Sequence, residues 1–388
     1  MIREMNSKMS RPQTSKRGIF ATVVVLAIVI GSALFAYTAF GMAPRDSGVV
    51  QQVAIIFRHG DRTPTETYPN DPHLTHNWSD GWGALTKEGM LQLYNLGQYI
   101  RKEYGWLAGI KYHPSIMLVQ SSYADRCIMS AQSLLASLYT PNEEDVFFPG
   151  LAWRPVPVHP IPRNSDRIIA VKEPCPRLEK ELEQAYINES LRSGTELASY
   201  YAKLTHFTGK NITTITDVEF LYNTLEIEEQ NKLTLPEWTK EFYNSKMREL
   251  AARSLALFTS NTLQQRLRGG PILKEILSNM MSTRVQSDYK KMYLYSAHDT
   301  TLVNTLRTMG FTEELLKPDY GAALIFELLL INGGQNQEVK VMYLNNTQTR
   351  VPYPLTIPKC SEPCLLENLL TVWKDVLPTD WKAECQLQ

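Results

Sequence analysis

The stretch that decides the fold of this chain is VAIIFRHGDRTP, at residues 53–64. Its first five residues are apolar and predict a buried strand, and the turn that follows places His59 between Arg58 and Arg62. We expect Gly60 to let this turn approach a ligand closely. Two guanidinium groups suit a phosphate, and their charges favour a neutral, nucleophilic imidazole. The segment predicts an α/β sheet with an anion site at a strand end, and the alternative is a salt-bridged surface loop.

A second segment, at residues 293–302, has the sequence YLYSAHDTTL and predicts another strand that runs directly into a helix. His298 and Asp299 lie at that junction, where His298 can donate a hydrogen bond to a phosphoryl oxygen. Asp299 can supply a proton to the leaving group if enclosure raises its pKa. The alternative is that Asp299, or Thr300, only caps the helix.

A third segment begins with a short apolar strand at residues 116–119 and continues into a helix predicted over residues 123–138. Arg126 lies in the first turns of that helix, where the helix N-terminus itself favours anions. It can complete a clamp of three guanidinium groups on a phosphate. The alternative is an ordinary ion pair on the helix surface.

Together these segments resemble the histidine acid phosphatases, the branch of the histidine phosphatase superfamily that contains the prostatic and lysosomal enzymes. The resemblance covers about residues 50–388, and it depends mainly on RHGDRTP at residues 58–64 in combination with the later His298-Asp299 pair. The segment GWGALTKEG at residues 81–89 and the pair Asp125-Arg126 add to it.

The resemblance implies a role for each candidate site residue. His59 would be the nucleophile that becomes phosphohistidine, Asp299 would be the proton donor, and the phosphate ligands would be Arg58, Arg62, Arg126 and His298. The reaction would be the two-step hydrolysis of a phosphate monoester, either a small molecule or a phosphorylated protein. No metal and no other cofactor is expected, because the arginines neutralise the charge of the phosphoryl group.

Two positions depart from the family pattern and bear on the leaving group rather than on the chemistry. Gln120 stands where relatives often have a basic residue, and Tyr123 where they often have an aspartate. The alternatives are a phytase-like or lysophosphatidate phosphatase, and a membrane-tethered binding protein that kept the fold but lost turnover. A markedly basic pocket would favour inositol polyphosphates, and no extra basic cluster surrounds the motifs.

Composition and charge exclude several classes of protein. The 388 residues are 43% apolar, which is ample for one large domain or a core with an insertion, and intrinsic disorder is not expected. The net charge is +4 over residues 1–17, zero over residues 18–43 and −4 over the remainder. A mildly acidic body without a basic stripe argues against nucleic-acid binding.

The N-terminal region predicts a membrane anchor. Residues 19–40 are an uncharged stretch of 22 residues, long enough at about 1.5 Å per residue to cross a bilayer as a helix. The basic flank precedes it, so we expect residues 1–17 in the cytosol, residues 18–43 as a signal-anchor, and the catalytic domain in a lysosome or outside the cell. The alternative is a signal peptide cleaved before Pro44, which would give a secreted protein, although a proline after the cut should hinder cleavage.

Cysteines and glycosylation patterns also favour an extracytosolic domain. The resemblance implies one disulfide between Cys175 and Cys385 and a second between Cys360 and Cys364, which leaves Cys127 unpaired. Metal binding at the second pair is disfavoured, because four ligands cannot be assembled locally. The N-glycosylation pattern occurs four times, at Asn77, Asn188, Asn211 and Asn345.

The segments arrange as an α/β core with a helical insertion. Strands alternate with helices before residue 160, and one of these helices is expected to span residues 86–104 and to end at Gly105. Two later strands are joined by a hairpin across residues 332–334. We predict a mostly parallel central sheet flanked by helices, similar to the phosphoglycerate mutase core, after one N-terminal transmembrane helix. The core would comprise residues 50–160 and 284–388, the helical cap residues 161–283, and a homodimer is a further expectation.

Overall fold

The computed structural model describes residues 48–348 and 351–387. The strands are β1 (Val49–Arg58), β2 (Met117–Ser121), β3 (His159–Pro160), β4 (Met292–Ala297), β5 (Ala323–Ile331), β6 (Asn336–Leu344) and β7 (Tyr353–Leu355). The helices are α1 (Lys87–Ala108), α2 (Asp125–Leu138), α3 (Pro176–Thr208), α4 (Ile215–Gln230), α5 (Thr239–Phe242), α6 (Ser245–Leu257), α7 (Thr262–Arg268), α8 (Gly270–Ser282), α9 (Asp299–Thr308), α10 (Leu366–Val372) and α11 (Trp381–Glu384). The predicted cytosolic tail and membrane anchor lie outside the described residues. Within the described residues, no helix has the length and apolar character of a membrane span.

The seven strands form one mixed sheet in the order β3-β2-β4-β1-β5-β6-β7. On one side of β1, the pairs β1–β4, β4–β2 and β2–β3 are parallel. On the other side, the pairs β1–β5, β5–β6 and β6–β7 are antiparallel. The prediction of a mostly parallel sheet is therefore correct for one half only. The other half is antiparallel in part because a short connection between β5 and β6 cannot make the long crossover that a parallel pair needs, and the predicted hairpin at this connection is confirmed.

Helices cover both faces of this sheet. In β1, Val53, Ile55 and Phe57 pack in one apolar cluster with α1 and α2. The alternate residues Ala54 and Ile56 pack in a second cluster with α8, α9 and α10. Because neither face of β1 meets water along residues 53–57, this part of the strand has an uninterrupted apolar sequence rather than an alternating one. The strand prediction from residues 53–57 is confirmed.

Helices α3 to α6 have an apolar cluster of their own. Leu204 of α3, Leu225 of α4 and Met247 of α6 are fully buried in it. Tyr68, from the loop after β1, packs in the same cluster. One disulfide joins Cys175, before α3, to Cys385, after α11, and a second joins Cys360 to Cys364. These are the two bridges that the resemblance implies.

Helix α1 differs from its prediction at the C-terminal end. It continues past Gly105 to Ala108, and Gly109 follows it with a φ of 79°. Leu107 and Ala108 are buried in the core. Their burial offsets the cost of about 1 kcal/mol for a glycine inside a helix, which is why Gly105 does not end it.

Another glycine, Gly97, lets α1 pack closely on α2. A Cβ atom added at Gly97 would lie 2.1 Å from the carbonyl oxygen of Leu134 and 2.1 Å from Oγ of Ser137. No side chain fits at that distance. Helix α2 carries Arg126, so this contact helps to fix one wall of the candidate site.

We predict that Gly97→Ala lowers the free energy of unfolding by about 1–3 kcal/mol, because the added methyl group forces the two helices apart. Gly105→Ala is the matched control, since its methyl group would meet only the Arg101 side chain, at 3.4 Å. Replacing an unhindered helical glycine should stabilise the protein by about 0.5–1 kcal/mol. Urea unfolding followed by circular dichroism measures both variants, and equal effects would contradict the close packing of α1 on α2.

Candidate functional site

Three strand ends meet at one edge of the sheet. His59 follows β1, His298 follows β4 and Ser122 follows β2. Backbone hydrogen bonds continue between these neighbours, from the N–H of His59 to the carbonyl of Ala297 at 3.0 Å, and from the N–H of Ser122 to the carbonyl of Ser296 at 2.9 Å. The parallel register therefore brings the segments predicted from sequence to one place.

The His59 ring is buried, and both of its nitrogens have partners. Nδ1 lies 2.9 Å from the carbonyl oxygen of Gly60, which can only accept, so Nδ1 carries the proton. The Nε–H group of Arg126 donates to Nε2 at 3.1 Å, so Nε2 presents a lone pair. His59 is thus the neutral tautomer with Nε2 as the nucleophilic atom. Arg126 contacts the site rather than forming a pair on the helix surface.

Positive charge surrounds this imidazole. Burial lowers the pKa of His59 well below its usual value, and the charges of Arg126, Arg58 and Arg62 lower it further. A free imidazole would be largely protonated at pH 5. The same charges that can bind a phosphate therefore keep His59 unprotonated in acid. The structure brings all of the predicted phosphate ligands around this ring.

Arg58 has the most constrained guanidinium group of the site. It is 2% exposed, its Nη1 donates to the carbonyl oxygen of Pro318 at 2.6 Å, and its Nη2 lies 3.1 Å from Oδ2 of Asp299. Its face lies 4.0 Å from the centroid of the Tyr320 ring. Among the residues that the structure describes, its Nε–H group has no partner.

The pKa of Asp299 is lowered, so enclosure by itself does not supply the proton that an acid at this position needs. Burial does act to raise the pKa, but the charges of Arg58 and Lys317 and the backbone N–H of Thr300 lower it to about 2. Asp299 is not the N-cap residue, although its Oδ1 accepts a hydrogen bond from the N–H of Thr300 in the first turn of α9, at 2.8 Å. His298 occupies the cap position of α9, and Asp299, the first residue of the helix, turns one carboxyl oxygen to Arg58.

His298 is neutral at acid pH. Burial lowers its pKa, and the charge of Arg126 adds to that effect, so that the pKa falls to about 3. Its Nε2 lies 2.8 Å from Oγ of Ser122. The unpaired Cys127 contacts the same ring, with Sγ at 3.7 Å from Nε2. Burial raises the pKa of Cys127 to about 12, which keeps it a thiol.

Two residues at the site were not predicted from the sequence. Tyr320 is buried, and its ring centroid lies 6.0 Å from that of His59. Lys317 has a side chain that is 5% exposed and pairs with Glu226 of α4 at 2.7 Å. Both precede β5, which is antiparallel to β1, so the start of β5 meets the end of β1. The apolar sequence of β5 is the only local signal, and it does not indicate this pairing.

We call residues 59–86, which join β1 to α1, the motif loop. Gly60 in this loop is needed for packing, a role that the sequence did not suggest. A Cβ atom at Gly60 would lie 2.2 Å from the carbonyl oxygen of Gly89, and one at Gly89 would lie 2.2 Å from that of Asp61. The start of α1 therefore presses against the motif loop. Arg62 is buried in it, with Nη1 donating to the carbonyl oxygen of Thr63 at 3.0 Å.

Acidic residues of helix α4 lie near these cations. Burial raises the pKa of Glu219, and the negative charge of Asp299 raises it further, to about 7. A cavity of about 250 Å³ adjoins Arg58, and Glu226, Lys317, Asp319 and Gln230 contribute to its wall. Among the described residues, no group of three or more histidine, cysteine or acidic side chains is placed to hold a metal ion.

Comparison with known proteins gives relatives over most of the chain. The chain is 35% identical over 381 residues to lysosomal acid phosphatase from Homo sapiens, which covers 96% of this chain and 87% of the relative. It is 36% identical over 348 residues to prostatic acid phosphatase from Rattus norvegicus, which covers 88% of this chain and 90% of the relative.

Solved structures share the fold at low sequence identity. The apo form of Hafnia alvei phytase matches with a TM-score of 0.63 and 17% identity, over 89% of this chain and all of that one. Residues 49–344 match the sequence model of the family described as the histidine phosphatase superfamily, branch 2. The chain therefore belongs to the histidine phosphatase superfamily, in its second branch.

Proposed function

We propose that this protein is an acid phosphatase that hydrolyses phosphate monoesters through a phosphohistidine at His59. The observation that carries the proposal is the state of the His59 ring, which is neutral, protonated on Nδ1 and surrounded by three arginines. Arg58, Arg62, Arg126 and His298 would hold the phosphoryl oxygens. This charge replaces the solvation that the phosphate loses on entering the site.

In the first step, Nε2 of His59 forms a bond to phosphorus while the ester P–O bond breaks. Asp299 gives its proton to the departing oxygen. In the second step, the Asp299 carboxylate takes a proton from water, the water oxygen attacks phosphorus, and the P–N bond breaks. The hydrogen bond from Nδ1 to the carbonyl of Gly60 stabilises the positive charge on the ring of the intermediate.

Asp299 must gain a proton before it can act as an acid. A phosphate monoester brings negative charge to Arg58 and so weakens the hold of this guanidinium group on the carboxyl. A nearby negative charge also raises the pKa of a carboxyl directly. We therefore infer that substrate binding, rather than enclosure alone, protonates Asp299, and that an acidic medium favours this step.

The leaving group is proposed to be uncharged or weakly charged. Glu226 of α4 and the nearby Asp319 place carboxyl groups at the wall of the cavity that adjoins Arg58, and Lys317 is paired with Glu226. Carboxylates on this side repel a second phosphate. This argues against the phytase-like alternative, while the oriented His59 ring argues against a binding protein without turnover.

Helices α3 to α6 are proposed as a cap over the leaving group. Helix α8 packs on the sheet, although the predicted cap, residues 161–283, includes it.

We further propose that the domain lies outside the cytosol on a single N-terminal anchor. Two disulfides support this, and so do exposed positions at Asn77, Asn188 and Asn211. Asn345 is a poor glycan acceptor, because its Nδ2 donates to Asp319 at 3.1 Å. We propose three glycans rather than four.

A homodimer is proposed on an apolar surface next to the edge strand β3. Phe147 and Phe148 are each 62% exposed, and the ring centroid of Phe147 lies 6.1 Å from that of Trp153. A cluster of exposed aromatic side chains on one segment is typical of a protein interface.

The first prediction concerns the nucleophile. His59→Ala should lower kcat/KM for 4-nitrophenyl phosphate at pH 5 by roughly a thousandfold or more, because no other group can form the intermediate. His113→Ala is the control, since this exposed histidine lies in the loop before β2. Thermal unfolding monitors the fold of both variants. Retention of more than a tenth of the wild-type rate would exclude the phosphohistidine mechanism.

The second prediction concerns the acid. Asp299→Asn should slow hydrolysis of an alkyl phosphate by about a hundredfold or more, because an alkoxide needs a proton to leave. Hydrolysis of 4-nitrophenyl phosphate, whose leaving group is stable as an anion, should slow far less. Steady-state rates on both substrates measure the difference. Equal slowing of the two would remove Asp299 from this role.

The third prediction concerns topology. The full chain, made in cells that glycosylate, should stay in the membrane pellet after alkaline carbonate washing, because its anchor is retained. Its mass should fall on glycosidase treatment, and replacing Asn77, Asn188 and Asn211 together by glutamine should abolish this fall, whereas Asn345→Gln should not change it. A soluble protein whose first residue is Pro44 or later would show instead that residues 1–43 are a cleaved signal peptide.

A further inference from the structure

The motif loop has a base at the phosphate site and a tip among the helices of the proposed cap. At the base, the N–H of Thr63 donates to the carbonyl of Ala84 at 2.9 Å, and the N–H of Gly83 donates to that of Pro64 at 2.8 Å. A Cβ atom at Gly83 would lie 3.9 Å from Nη1 of Arg126. We therefore expect a movement of this base to change the position of Arg126, one of the proposed phosphate ligands.

Polar contacts hold the tip against α3 and α4. The N–H and Nδ2 groups of Asn70 donate to the carbonyls of Thr208 and Phe207, at 2.9 and 3.0 Å. Oγ1 of Thr224, on α4, donates to the carbonyl of Glu66 at 2.9 Å. These hydrogen bonds do not titrate, and they place the tip next to α4. The tip also has an ion pair between Glu66 and Lys210, and Nε2 of His73 lies 2.9 Å from the carbonyl oxygen of Thr234.

One contact between the tip and α4 joins two carboxyl groups. Asp71 of the tip is 7% exposed and Glu228 of α4 is 1% exposed. Their side chains are hydrogen-bonded to each other. Asp71 also accepts hydrogen bonds from the Oγ1 of Thr67 and, at 2.7 Å, from the N–H of His73. Because Asp71 already accepts from two donors, Glu228 is the better place for the proton that such a pair requires.

The surroundings of Glu228 also favour its neutral form. Burial raises the pKa of Glu228, and the charge of Asp71 and the hydrogen bond to it raise it further, to about 8. Tyr68 also faces the pair, and burial, Glu228 and Asp71 raise its pKa as well. His73, whose N–H binds Asp71, turns its ring to the carbonyl oxygen of Thr234. Among the described residues, Oε2 of Glu228 and the hydroxyl of Tyr68 have no partner. The neighbouring acids of α4 bind elsewhere, Glu226 to Lys317 and Glu229 to Tyr243.

We propose that Glu228 and Asp71 form a proton clasp, in which one shared proton fastens the motif loop to α4 and so positions the base of that loop at the phosphate site. Glu228 is a positioning residue in this scheme, since it touches neither the substrate nor His59. The role rests on the proposed phosphatase function. It adds a second reason for an acid optimum, separate from the proton on Asp299.

The sign of the pH effect follows from the raised pKa. The folded protein holds the Glu228 proton more tightly than the unfolded chain does, so unfolding releases a proton between the ordinary glutamate pKa and about 8. The contribution of this group to stability is complete below the ordinary pKa and declines as the pH rises through that window. Above it, two buried carboxylates repel each other, and the tip separates from α4.

Glu228→Gln tests the clasp in the full chain, in detergent, with 4-nitrophenyl phosphate as the probe. Glutamine keeps the shape and a donor toward Asp71 but cannot lose a proton. The ratio of variant to wild-type kcat/KM cancels the titration of substrate and of catalytic groups. It should lie near one at pH 5 and rise to about tenfold one pH unit above the Glu228 transition, mainly through KM. Glu229→Gln, the same change at an exposed neighbour, should give a flat ratio.

Hydrogen exchange of the wild-type chain gives a second readout that does not need activity. Protection of residues 66–74, corrected for the intrinsic rate, should fall by about tenfold or more above pH 8, while that of β1 and β4 stays unchanged. Turnover with a flat Glu228→Gln ratio would overturn the clasp alone, and so would unchanged protection of residues 66–74. A chain without turnover would overturn the proposed function. The hydrogen exchange of residues 66–74 would then be the test of the clasp.

Discussion

The rest of the site depends on one buried imidazole that is kept neutral among positive charges. His59 receives a hydrogen bond from Arg126 and gives one to the carbonyl of Gly60, so its lone pair has a single place, on Nε2. Burial and three guanidinium groups lower its pKa together. An unperturbed imidazole would lose its nucleophilic lone pair at the pH of a lysosome. The parallel register of β1, β4 and β2 supplies the enclosure, because it brings three strand ends to one edge.

The same enclosure makes the guanidinium groups costly when no ligand is bound. The buried charge of Arg58 is stabilised by the ion pair with Asp299, the hydrogen bond to the carbonyl of Pro318 and the contact with the face of Tyr320. In this way the proposed acid also serves as the counter-ion of a proposed phosphate ligand. In the proposed mechanism, substrate competes with Asp299 for Arg58, and this competition favours protonation of the acid. One ion pair thus couples substrate binding to the proton transfer that the leaving group requires.

Contacts close in sequence, or set by strand order, could be predicted from the sequence, and others could not. Arg58, His59 and Arg62 share one turn, and the edge of a parallel sheet collects the ends of its strands. Nothing in the sequence near β5 indicates that this strand pairs antiparallel to β1, so the positions of Tyr320 and Lys317 at the site were not predicted. The packing role of Gly60 was missed because its close neighbour, Gly89, belongs to α1. The pairing of Glu228 with Asp71 is likewise a contact between distant segments, which a single sequence does not reveal.

The central claim is that His59 stays neutral in acid, and its titration tests that most directly. Nitrogen NMR of ¹⁵N-histidine-labelled protein from pH 4 to 7, with the His59 signals identified by their loss in His59→Ala, reports the tautomer and charge of the ring. The account predicts a protonated Nδ1 and an unprotonated Nε2 throughout this range. A ring that becomes doubly protonated with a pKa near 6.5 would contradict it.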